Sequence, residues 1–157
     1  MNEKDLSAID WALEVTHLLE FRERDLASLS GGQAQRVWIA MALAQETDIL
    51  ILDEPTTYLD PAHQLEILEL LVEINRAKHT TILMSIHDIN HASRFSDCLI
   101  GMKDGKLVVQ GTPAEVVTKE WMREIFEIDA QIVQLPETNK PVFLSYDLMT
   151  SRKEGEK

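Results

Sequence analysis

Four consecutive branched apolar residues, Ile49–Leu52, run directly into Asp53, Glu54 and Pro55, and no other stretch constrains the chain as much. A run of this length without polar alternation has the pattern of a parallel strand buried on both faces. The two acids then emerge at its carboxyl end, where open parallel sheets collect ligands. Downstream, Asp60 and Pro61 supply an N-cap and a first helical residue for a helix reaching about Lys78, with Leu65, Leu68, Leu71 and Val72 on its core face. A second β-rich run, residues 80–86 (TTILMSI), ends at His87. Strand, helix and strand in this order predict an α/β fold, with layers of helices around a mainly parallel sheet.

The flanking stretches fill in the layers. Ile9, Ala12, Leu13 and Thr16 share one helical face, with Ser7 as the expected N-cap. A polar turn at residues 22–25 leads to LSGGQ at 29–33, and residues 33–45 read as a helix buried through Val37, Ala40, Met41 and Ala44. A short helix is expected over 89–95. The segment 98–111 reads as a hairpin, with Asp104 and Gly105 at the positive-φ turn positions. Thr112, Pro113 and Glu115 spell a capping box. Residues 142–145 are expected to pair with 130–135, and the polar tail from Thr150 is expected to be disordered.

Composition removes several function classes. The net charge of −12 disfavours nucleic acid as a partner, along with direct attachment to anionic lipid. The single cysteine, Cys98, forbids an internal disulfide or a cysteine-rich metal site and fits a reducing cytosol. The longest apolar run, Val37–Ala44, is too short to span a bilayer, and the first ten residues lack the apolar core of a signal peptide. Any membrane role is expected to pass through a protein partner.

The chemistry concentrates in a few places. Asp53 is suited to hold Mg²⁺, and Glu54 to polarise an attacking water, the two tasks that phosphoryl transfer demands. Acids that merely punctuate a strand end are the bland alternative. Gly31 and Gly32 let a backbone approach an anion, Ser30 adds a hydroxyl and Gln33 an amide, all at a helix N-terminus with its free N–H groups and positive dipole end. A serine N-cap before a glycine hinge is the competing reading. His87 is placed to contact a γ-phosphate, or is simply structural. Asp60 is a competent N-cap that also sits close enough to the Glu54 turn to communicate with a neighbouring subunit.

Taken in order, these stretches resemble the ATP-binding-cassette (ABC) ATPases. Leu29–Gln33 match the family signature, Ile49–Glu54 the Walker B strand, Tyr58–Asp60 the D-loop and His87 the switch histidine. DEPTTYLDPAHQLEIL, SIHDINHASRFSD and QGTPAEVVTKEWMREIF further resemble the ATPase subunits that drive bacterial uptake of ferric siderophores, haem and cobalamin. The resemblance implies a P-loop NTPase-like fold, truncated at its N-terminus, with ATP and Mg²⁺ as cofactors. It implies Glu54 and His87 as catalytic, Asp53 as the Mg²⁺ ligand, and Ser30, Gly31, Gly32, Gln33 and Asp60 as nucleotide-binding. It also implies a peripheral subunit on the cytoplasmic face of the membrane. Such a subunit works as a dimer beneath permease subunits, and indirectly with a substrate-binding protein. Residues 1–45 would be part of the helical subdomain, 46–127 half of the RecA-like core, and 128–157 a C-terminal hairpin and tail.

The family's Walker A loop, G-x-x-x-x-G-K-[ST], is not in this sequence. Its nearest approach, Gly101, Gly105 and Lys106, has the wrong spacing, and Leu107 stands where a hydroxyl is needed. The chain as given is therefore expected to have negligible hydrolysis alone. A non-hydrolysing product that only binds permease or ATPase partners is one alternative. A zinc hydrolase built on the i, i+4 pair His87 and His91 is a remote one.

Overall fold

The computed structural model describes residues 2–149. The expected tail beyond residue 149 lies outside them. Two compact units divide the chain between Ile86 and His87. In the first, α1 (Glu3–Val15) packs against α2 (Gly31–Leu43), short 3₁₀ turns lie at Leu19–Phe21 and Leu26–Ser28, and β1 (Ile49–Leu52) pairs in parallel with β2 (Thr81–Met84) across α3 (Pro61–Lys78). In the second, α4 (Ile89–Phe95) precedes the hairpin β3 (Leu99–Lys103) and β4 (Lys106–Gly111). Then come α5 (Pro113–Val116), α6 (Lys119–Phe126) and the hairpin β5 (Ile128–Gln134) and β6 (Pro141–Leu148). The class is α/β, as the alternation of strand and helix predicts. Among the described residues each sheet has two strands, and β1–β2 is the parallel pair.

Local capping sets most of the helix ends. Asp60 caps α3 by accepting from the His63 N–H at 3.0 Å, and Pro61 follows it. Thr112 and Glu115 close the expected box at α5. The start of α1 differs from the expectation. Asn2 is its N-cap, in a box with Asp5, and Ser7 lies inside the helix with its hydroxyl donating to the Glu3 carbonyl. Asn2 and Asp5 satisfy one N–H each in both directions, which a serine five residues later does not outcompete.

The first unit's core is made by Leu18, Ile39, Leu43, Leu50, Ile67, Leu71 and Ile74, all nearly devoid of solvent exposure. Register explains the rest. Leu50 pairs with Ile82 and Leu52 with Met84, and these four face the helices. Ile49, Ile51 and Leu83 point the other way and are 57%, 72% and 50% exposed. The expectation of a strand buried on both faces is thus corrected: period 2 sends alternate residues to opposite faces, and the described elements cover one. Met41 is likewise 53% exposed, because α2 turns Ile39, Ala40 and Leu43 inward instead.

In the second unit, α6 lies on β5, burying Met122, Ile128 and Ala130, with Phe143 from β6 packed alongside. Gly101 on β3 leaves room for this helix, since a Cβ there would stand 2.6 Å from Ile125 and 2.7 Å from Val109. Asp104 and Gly105 take φ of 50° and 72°, giving the expected turn between β3 and β4. Among the described residues no helix is long and apolar enough to cross a membrane.

Candidate functional site

The signature turn begins with Ser30, whose extended backbone leads into α2. Its hydroxyl oxygen accepts from the Gln33 N–H at 3.3 Å, and the Gln33 side chain accepts from the Ser30 N–H at 2.9 Å. This is a reciprocal capping box, so the N-cap reading of Ser30 holds geometrically. It does not use up the anion-binding capacity. The Ser30 Oγ acts as acceptor in the box, so its own proton stays available to an incoming oxygen. The N–H groups of Gly31 and Gly32 lie in the first turn of α2, where a helix has no internal acceptors. Ser30 and Gly31 are exposed, whereas Gly32 is buried.

The acids follow β1 as expected. Asp53 is exposed and Glu54 half-buried. One hydroxyl joins them: Ser85, just past the end of β2, donates to Asp53 Oδ1 at 2.7 Å and accepts from the Glu54 N–H at 2.8 Å. Parallel pairing puts both strand ends on one edge, so a hydroxyl after β2 reaches the residues after β1. Sequence reasoning missed Ser85, although its place after TILM signals it. Glu54 adopts φ 47° and Tyr58 φ 64°, left-handed conformations that cost energy for residues with a Cβ and cluster at functional turns. Thr57 donates to Glu54 Oε2 at 2.9 Å, which fixes that carboxylate close to its own turn.

Asp60 sits at the head of α3. Its carboxyl is held below the ordinary range, first by the backbone N–H of His63 and then by the His63 side chain, with Nδ1 at 2.7 Å from Oδ2. The ring of His63 also lies over Gly32, so the signature turn and the head of α3 meet. His63 is a second residue that sequence reasoning missed.

His87 is exposed and begins the second unit. The strand before it stops at Met84, earlier than expected. Asp88 caps α4 by accepting from the His91 N–H at 2.7 Å, which places His87 before the helix. The i, i+4 pair of a zinc-protease helix is therefore not formed, and this alternative falls. The Gly101–Lys106 segment is the β3–β4 hairpin, not a phosphate loop.

The residues present fit a Mg²⁺–nucleotide. Mg²⁺ favours one or two carboxylates, with phosphate oxygens and waters completing its shell. Asp53 is exposed and has one oxygen engaged by a neutral hydroxyl, which leaves the other available. A groove of about 390 Å³ lined by Lys4, Trp11, Asp48 and Lys78 is at the opposite, amino end of β1, away from this chemistry.

Comparison with known proteins finds relatives over most of this chain. The profile of the ABC transporter family matches residues 2–57. The iron(3+)-hydroxamate import ATP-binding protein of Bacillus subtilis (strain 168) is 56% identical over 154 residues, covering 98% of this chain and 57% of that protein. The ferric enterobactin transport ATP-binding protein of Escherichia coli (strain K12) is 44% identical over 140 residues, covering 89% and 52%. A solved metal-chelate-type ABC transporter in an inward-facing conformation superposes with a TM-score of 0.81 at 27% identity, covering 92% of this chain and 58% of that one. The chain thus spans little more than half the length of the relatives that it matches. Over that span it belongs to the ABC transporter family.

Proposed function

We propose that this chain supplies the signature, Walker B, D-loop and switch portion of an ATP-hydrolysing subunit that powers import of an iron chelate of the siderophore class. The carboxylate pair at the carboxyl end of β1 carries the proposal. Asp53 and Glu54 share Ser85 as a common partner, yet their carboxylates have different surroundings. That separation suits two tasks.

In this reading, Asp53 holds Mg²⁺, which neutralises phosphate charge when bound. Glu54 orients and polarises the attacking water. Ser30, Gly31, Gly32 and Gln33 present O–H and N–H donors to the terminal phosphate of ATP held by a second subunit. His87 adds a contact to the γ-phosphate that Glu54 serves, and Asp60 relays the state of one subunit to the other. Residues 1–45 belong to the helical subdomain, 46–127 to the catalytic core and 128–157 to a C-terminal hairpin and tail. The subunit sits on the cytoplasmic face of the membrane, bound to permease subunits that receive chelate from a substrate-binding protein. The relatives named for iron-hydroxamate and enterobactin transport support the substrate class.

The test uses this chain completed with the portion of the Bacillus relative that it does not span. Glu54→Gln should abolish phosphate release from ATP, a loss on the order of 10²-fold or more, while ATP binding persists. Turnover at the unsubstituted rate would remove Glu54 from the catalytic role.

A further inference from the structure

We infer that His63 is a positioning residue that locks the Asp60 turn to the signature turn, one imidazole serving both. Gly32 takes no left-handed φ, so its lack of a side chain answers a need for space. A Cβ built there would stand 2.8 Å from His63 Cδ2, 3.5 Å from Cγ and 3.6 Å from Nε2, so the ring lies across the glycine backbone. The other side of the same ring meets Asp60, with Nδ1 at 2.7 Å from Oδ2, while the His63 N–H reaches Oδ1 at 3.0 Å. Both oxygens of Asp60 are thereby tied to one residue.

A second contact repeats the link one helical turn further on. Arg36, a turn beyond Gly32 on α2, bonds Glu66, a turn beyond His63 on α3, at 2.6 Å. The two helices are clamped along a pair of facing edges, and the first clamp contains the two motifs. Any movement of the signature turn toward α3 must displace the His63 ring, and displacing that ring breaks its contact with Asp60 Oδ2. The inference rests on the proposed function only in giving these turns their roles; the linkage itself is a property of this chain.

The two levels are tested separately. In this chain, NMR of the imidazole and carboxylate signals should show Gly32→Ala shifting Asp60 as well as the His63 ring, although the atoms nearest the added Cβ all belong to the ring. An unmoved Asp60 signal would overturn the linkage. In the completed chain, His63→Ala should lower kcat for ATP about tenfold with KM changed less than about twofold, the pattern of lost positioning. His63→Asn, whose side-chain amide takes the place of Nδ1, should recover most of that loss. Unaltered kcat in His63→Ala, or an Asn variant no better than the Ala one, would overturn the positioning role alone. Absence of hydrolysis in the unsubstituted completed chain would instead overturn the proposed function, and the role of His63 in it, while leaving the NMR result standing.

Discussion

In the unit ending at Ile86, three helices bury Leu18, Ile39, Ile67 and Ile74 against one face of β1–β2. In the unit beginning at His87, the central cluster is Met122, Ile128 and Ala130, and much of the docking of α4 is polar. There Asn90 imitates a neighbouring strand, donating to the Phe143 carbonyl at 3.0 Å and accepting from its N–H at 2.8 Å. Ser93, almost wholly buried, donates to the Pro141 carbonyl at 2.6 Å. Lys140 reaches the Arg94 and Ser96 carbonyls at the end of α4, where backbone acceptors have no helical donors. The first unit is held by apolar volume and the second by directed bonds. Both units leave apolar strand residues exposed, Ile49, Ile51 and Leu83 in the first and Met102, Leu144 and Leu148 in the second. The first carries the motif residues from Ser30 to Asp60.

The largest effect should come from removing apolar volume. Ile74→Ala, at a position with 0% exposure, should destabilise the first unit by about 2–5 kcal/mol. Native-state hydrogen exchange should show protection falling in α1–α3 first. Next, Ser93→Ala should cost about 1–3 kcal/mol by stranding the Pro141 carbonyl, with the loss read in α4 and β6. Equal losses across both units from either variant would erase the contrast.

Ile51→Glu probes the exposed face of β1. At 72% exposure it should change stability by less than about 0.5 kcal/mol, yet reduce self-association measured by sedimentation. The smallest effect is on the acid limb, probed at one group in each unit. Asp60 and Glu115 are both held below their ordinary values of 3.8 and 4.5, chiefly by backbone N–H groups of His63 and Thr112. A depressed folded pKa means that their stabilisation is present above those values and fades as pH falls through the folded ones. Asp60→Asn and Glu115→Gln should each flatten that limb in thermal melts below about pH 4.5, the former in the first unit and the latter in the second.

Legibility in the sequence followed the range of the cause. The heads of α3 and α5 depend on residues three apart, so Asp60, Thr112 and Glu115 were readable directly. The Asp104–Gly105 turn was readable for the same reason. Burial is non-local. Nothing within ILIL distinguishes a strand covered on both faces from one covered on one, and Met41 fits an inward helical stripe as well as Ile39 does. Of the site, the carboxylates and the signature were visible because strand ends and helix starts are written in short patterns. Ser85 and His63 were hidden because each acts across a gap in sequence that only the β1–β2 register or the α2–α3 packing closes.

The central claim is that the signature turn closes on ATP held by another subunit, and sedimentation of the completed chain tests it most directly. With Glu54→Gln to halt turnover, the account predicts dimers when ATP and Mg²⁺ are added and monomers without them. Adding Ser30→Arg, which fills the turn proposed to face the phosphate while leaving β1 untouched, should leave monomers in both conditions. Dimers that form with ATP despite Ser30→Arg would contradict the account.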